Sequence, residues 1–193
     1  MAARAPDRDR GFTLVEVVVA GALLVVAAAG VAQLIAIAIR ANRIARGQTV
    51  TTMTAAQKME ELRALAWAYD ASGGLRSDAS SDVSRDPAAS GGTGLSVTPA
   101  GSLDRSIDGC VDYLDASGHW MGSGAAVPAA AVYVRRWAVL PLASDPSHTR
   151  VLVVLAGAIE EERTLGASMP APRPHLPQDT VLVTVKTRQM EAP

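Results

Sequence analysis

The chain has 193 residues, 49 % of them hydrophobic but only 4 % aromatic, and a formal net charge of −1. That length suits one modest head plus an N-terminal segment rather than two full domains. The near-neutral balance gives no general attraction to nucleic acid, and the single cysteine, Cys110, excludes an intramolecular disulfide.

Residues 1–11 are short, polar and charged, with Arg4, Arg8 and Arg10 offset by Asp7 and Asp9. They read as a leader too short to fold alone. Residues 12–39 follow as an apolar run broken only by Thr13, Glu16 and Gln33. As a helix this run is about 40 Å long, enough to cross a hydrocarbon core. A carboxylate inside such a span costs a few kcal/mol on insertion scales, so Glu16 calls for a partner or a purpose. Arg40, Arg43, Arg46 and Lys58 follow the span much as the leader arginines precede it, so charge asymmetry assigns no orientation.

The run Arg10-Gly11-Phe12-Thr13-Leu14-Val15-Glu16 closely resembles the N-terminal signature of type IV prepilins and type II secretion pseudopilins. The resemblance covers only the first quarter of the chain. It implies cleavage after Gly11 by a prepilin peptidase of the inner membrane and N-methylation of Phe12. Glu16 falls on the family's glutamate at the fifth mature position. There it would neutralise an N-terminal amine, its own or a neighbour's, as the apolar helices bundle. The resemblance further implies a cytoplasmic leader, a single pass through the inner membrane and a head outside the cytoplasm. The implied partners are the peptidase, other pilin or pseudopilin subunits, an inner-membrane assembly platform and membrane lipid, with no nucleic acid and no cofactor. Many pilins carry a disulfide loop near the C-terminus, and this chain departs from that pattern.

Residues 40–69 turn amphipathic. Met59, Leu62, Ala66 and Tyr69 recur at helical spacing, joined by Ile44 and Met53, with Arg43, Arg46, Gln57, Lys58 and Arg63 left for solvent. One helix from Phe12 to Ala68 follows. Gly21, Gly30, Gly47 and the run Thr49 to Thr52 leave open whether it bends. Residues 70–109 lose periodicity and fill with Ser, Gly and Asp, and are expected as a variable loop or partly disordered insertion. Residues 110–193 form a β-rich part of the head. Strands are expected at Val132–Leu140, Arg150–Leu155 and Thr180–Thr187, with a fourth at Cys110–Leu114. Arg135, Trp137 and Val139 fall on one face of the first, Val134, Arg136 and Ala138 on the other. Pro146 and Gly157 read as turns, and the prolines of Met169–Pro177 exclude a central strand.

Asp104, Asp108, Asp112 and Asp115 are oxygen ligands of the kind calcium takes, but their spacing fits no EF-hand loop, and a solvated acidic face is the expectation. His119, His148 and His175 lie too far apart for a zinc motif. Trp137 is expected to pack the sheet on the helix, with Trp120 as its partner in a binding patch the alternative. No catalytic signature is present, so neither a catalytic residue nor a metal ligand is assigned.

The order of long helix, variable loop and antiparallel strands predicts an α+β, pilin-like fold. The resemblance favours a minor pilin of the PilV type that initiates or modifies a type IV pilus, with a minor pseudopilin of type II secretion as the alternative. The rival from another class is a Sec-exported or signal-anchored binding protein, cleaved near Ala27-Ala28-Ala29 or not at all.

Overall fold

The computed structural model describes residues 11–160 and 178–190, so the prolines of Met169–Pro177 and the expectation for His175 lie outside the described residues. Two compact units divide the chain after Arg43. The first holds the apolar start of helix α1, which runs without interruption from Leu14 to Ala64. Neither Gly21, Gly30 and Gly47 nor the threonine run interrupts it. Every Phe, Leu, Val and Ile side chain from Phe12 to Ile39 is at least 51 % exposed. Helix α1 is long and apolar enough to cross a membrane.

The second unit begins at Ile44. It packs the C-terminal part of α1 on small, mostly antiparallel sheets, which is the α+β arrangement expected. After α1 come four short strands, β1 (Trp67–Tyr69), β2 (Leu75–Ser77), β3 (Ser81–Asp82) and β4 (Ala89–Ser90). They are followed by β5 (Val111–Leu114), β6 (Trp120–Ser123), β7 (Tyr133–Leu142), β8 (Asp145–Ala158), β9 (Thr180–Thr187) and β10 (Gln189–Met190). The main sheet is antiparallel in the order β6-β5-β7-β8-β9. A smaller sheet, β10-β1-β2, joins the two ends of this unit through a parallel pairing of Ala68 with Gln189.

Three expectations are corrected here. The helix stops at Ala64, so Ala66 lies beyond it and Tyr69 belongs to a strand. Pro146 and Gly157 are not turns but lie inside β8, which pairs with β7 through a reversal between Leu142 and Asp145. Met53 is 67 % exposed, whereas Thr51, Thr54 and Lys58 are buried. The threonines fit because their hydroxyls find acceptors, one within the helix and one across to the segment that leads into β9. Thr54 Oγ1 donates to Val50 O at 2.9 Å, and Thr51 Oγ1 donates to Gln178 O at 3.0 Å beside Thr180.

One apolar cluster joins Ala55, Met59 and Leu62 of α1 to Trp137, Val139, Leu152 and Val154 of the sheet. Each fully buried leucine or valine of this cluster stabilises the fold by roughly 1.5–3 kcal/mol. The opposite face of β7 supplies Val134 to a second cluster with Val111, Tyr113 and Ile159. Cys110, which directly precedes β5, is 2 % exposed, and burial pushes its thiol up from the ordinary value.

Charge is buried in the same helix–sheet interface. Asp112, expected on a solvated face, is wholly buried, and so is Lys58, expected to face water. Arg135 clamps Asp112 in two parallel bonds, Nε to Oδ1 at 2.8 Å and Nη2 to Oδ2 at 2.7 Å. Lys58 Nζ reaches the same Oδ2 at 3.0 Å, donates to Val83 O at 2.6 Å and pairs with Glu61. Two cations are thus balanced by two carboxylates, and a bidentate arginine supplies the geometry a dry ion pair requires.

Residues 70–109, expected as a loop, hold β2, β3 and β4 and are fastened to the core. Val83 and Leu95 enter the main cluster. Thr98 exchanges hydrogen bonds with Val139, donating N–H to its carbonyl at 3.0 Å and accepting its N–H at 3.2 Å. The pattern Asp-x-Ser recurs as a turn in which the carboxylate accepts the serine N–H: Asp70 to Ser72 at 2.9 Å, Asp78 to Ser80 at 3.1 Å, Asp82 to Ser84 at 3.0 Å. Gly92 passes so close to β3 that a Cβ there would lie 2.3 Å from Asp82 Cα. Burial raises the Asp78 carboxyl, but hydrogen bonds from the Ser81 hydroxyl and from the Ser81 and Ser80 amides outweigh it and hold it below 3.8.

Two predictions follow from these contacts. Asp112→Ala leaves Lys58 and Arg135 buried without a shared counter-charge and should cost about 3–5 kcal/mol in denaturant unfolding of the full chain. Glu61→Gln, at a side chain 30 % exposed, should cost under about 1 kcal/mol; equal losses would show that Asp112 is not the keystone. Because the folded Asp78 carboxyl is depressed, its contribution is complete above the unfolded value of 3.8 and is lost as pH falls through the folded one. Amide protection around Ser80 and Ser81 should therefore hold from neutral pH and collapse only under more acidic conditions, an acid response that Asp78→Asn removes.

Candidate functional site

Thr13 and Leu14 set the start of α1, because a threonine before an apolar run can accept the first free amides of a helix. Thr13 Oγ1 accepts the Glu16 N–H at 3.2 Å, and Glu16 Oε2 accepts the Thr13 N–H at 3.2 Å. The Thr13 hydroxyl also donates to Glu16 Oε2 at 3.1 Å. The pair forms a reciprocal capping box, satisfying two amides that the helix leaves unpaired. A carboxylate in the first turn also faces the positive end of the helix dipole, worth roughly 0.3–1 kcal/mol.

Gly11 and Phe12 precede this cap outside the helix, and Phe12 is 86 % exposed. A Cβ built on Gly11 meets nothing within 4 Å. Packing among the described residues therefore does not demand glycine there. Gly11, Phe12 and Glu16 lie together at one helix end. The participation of Thr13 was within reach of the sequence, since Thr-x-x-Glu before an apolar run is itself the capping pattern.

The candidates in the head do not converge. Asp112 is held in the core ion network, Asp108 accepts the Ala125 N–H at 3.0 Å, and Asp115 closes a turn by accepting the Ser117 and His119 amides at 2.8 and 2.9 Å. His148 Nδ1 lies 2.7 Å from Asp145 Oδ1, while His119 is exposed near Asp115. No group of three or more His, Cys, Asp or Glu side chains among the described residues could hold a metal ion. Trp137 is buried as expected, and the Trp120 indole donates to Ser84 O at 2.8 Å. Trp67, read only as part of the helix, instead opens β1 and lies under two guanidinium groups, with Cζ of Arg150 and of Arg188 at 4.3 and 3.6 Å from its ring centre.

The family model described as the prokaryotic N-terminal methylation motif matches residues 6–32. No curated protein and no solved structure matches the chain. The motif match spans the residues that build the helix start, and it supports a type IV pilin or pseudopilin, the kind of subunit that a prepilin peptidase processes and that assembles with others of its family.

Proposed function

We propose that the chain is a minor pilin of a type IV pilus, cut after Gly11, methylated at Phe12 and inserted through α1 to initiate or modify the filament. The observation that carries this reading is Glu16, a carboxylate in the first turn of a helix whose large apolar side chains are at least 51 % exposed as far as Ile39. Such a surface needs lipid or other apolar helices to cover it. Cleavage after Gly11 leaves a new amine at Phe12, one residue before the cap. A carboxylate that already accepts the Thr13 amide is placed to neutralise that amine or a neighbour's, and a paired charge is tolerated in lipid where a lone one is not. The Ser, Gly and Asp-rich segment 70–109 and the absence of a cysteine pair favour a minor over an abundant subunit. The head would lie outside the cytoplasm once α1 is in the inner membrane.

Replacing Gly11 with a bulky residue should leave the longer precursor in the membrane, as read by mass spectrometry of the mature N-terminus. Normal maturation of that variant would remove the processing role. Glu16→Gln retains the capping hydrogen bonds but not the charge. It should be cleaved normally and appear in sheared filaments at roughly a tenth of the parental level or less, and parental incorporation would reduce Glu16 to a helix cap.

A further inference from the structure

Where the chain leaves β9 and enters β10, a cavity of about 380 Å³ is lined by Arg63, Trp67, Lys186, Thr187 and Gln189, together with Ala68 and Val185. It contains two cations and no carboxylate among the described residues. Arg150 and Arg188 add their charge behind the Trp67 ring. Among the described residues Arg188 donates to neutral acceptors, the carbonyls of Ser147, Ala68 and Arg76 and the hydroxyl of Ser77. Arg150 Nε is buried with no hydrogen-bond partner. Two nearby acids among the described residues are already engaged elsewhere. Glu60 holds Arg63 from a side chain that is itself 67 % exposed, and Asp145 is taken by His148 and Thr149. Lys186 donates to the Arg63 carbonyl at the end of α1. Burial, then Arg63, push the Lys186 ammonium down from its ordinary value, and burial, then Arg188, do the same to Arg150. These cations repel one another, and an anion in the cavity relieves that repulsion.

We propose that this cavity binds a phosphate group, with Arg63 and Lys186 as its charged partners and Thr187 and Gln189 beside them. Several positive charges gathered around one indole favour a doubly charged tetrahedral oxyanion over a single carboxylate. The site lies in the head and does not rest on the assembly role of Glu16, so either reading can fail alone.

The test follows the Trp67 indole N–H by NMR in the full chain, held in an uncharged detergent, as inorganic phosphate replaces chloride at constant ionic strength. A second arm adds bicelles containing phosphatidylglycerol in phosphate-free buffer. A saturable displacement with inorganic phosphate identifies a free phosphate site, and saturation with the lipid alone identifies a headgroup as the source. In either case Lys186→Gln should weaken binding about tenfold, as loss of one charge-assisted hydrogen bond does, and Lys186→Arg should restore it. Arg63→Gln gives a second reading that leaves its backbone carbonyl in place. A displacement that never saturates in either arm, or that neither glutamine variant weakens, overturns the proposal.

Discussion

The head depends on one carboxylate shared by two cations, all three buried from the surface. Asp112 is fixed by a strand, Arg135 by the neighbouring strand and Lys58 by the helix, so the ion network ties three elements at one point. Apolar packing alone permits a helix to slide or rotate on a sheet at modest cost. A bidentate arginine does not, because a displacement of an ångström breaks directional bonds and leaves charge buried. Around that point the ordinary core closes. Trp137 lies under Lys58, with the ammonium 5.0 Å from the ring centre, and Val83 brings the irregular segment in as an acceptor.

The same helix meets a second constraint at its other end. From Leu14 to Ile39 it offers apolar side chains on every side, while beyond Ile44 only a stripe is buried. One element therefore answers to two solvents. The capping box matters because the polar groups at its start are satisfied by the helix itself, and the residues that provide it, Thr13 and Glu16, are the only polar side chains in the run before Gln33.

Much of this was legible in the sequence because the signals are local. The apolar run, the β-branched run Thr180–Thr187 and the two faces of the strand through Trp137 are set by period and composition. The burial of Lys58 was not, because helical patterning places a lysine in water and its partner stands 54 residues away on a strand. Asp112 was hidden for the same reason, as one aspartate among several near glycines. The helix end was misplaced because Ala66 and Tyr69 continue the helical spacing even though the chain has turned into β1. The ordering of residues 70–109 had a signal that composition masks: serine and glycine read as disorder, whereas Asp-x-Ser at 70, 78 and 82 is a repeated turn former. At the N-terminus the motif residues were all in view, and what sequence did not show was their mutual geometry.

The state of Cys110 has a practical consequence. Thiol reagents attack the thiolate, and a sole cysteine that is 2 % exposed with its thiol pushed up by burial offers them almost nothing. The parental chain is therefore a silent background for chemistry. A cysteine introduced at an exposed position such as Val183 would carry a label or a cross-link by itself, and neighbours in an assembly could be mapped without first altering the native thiol.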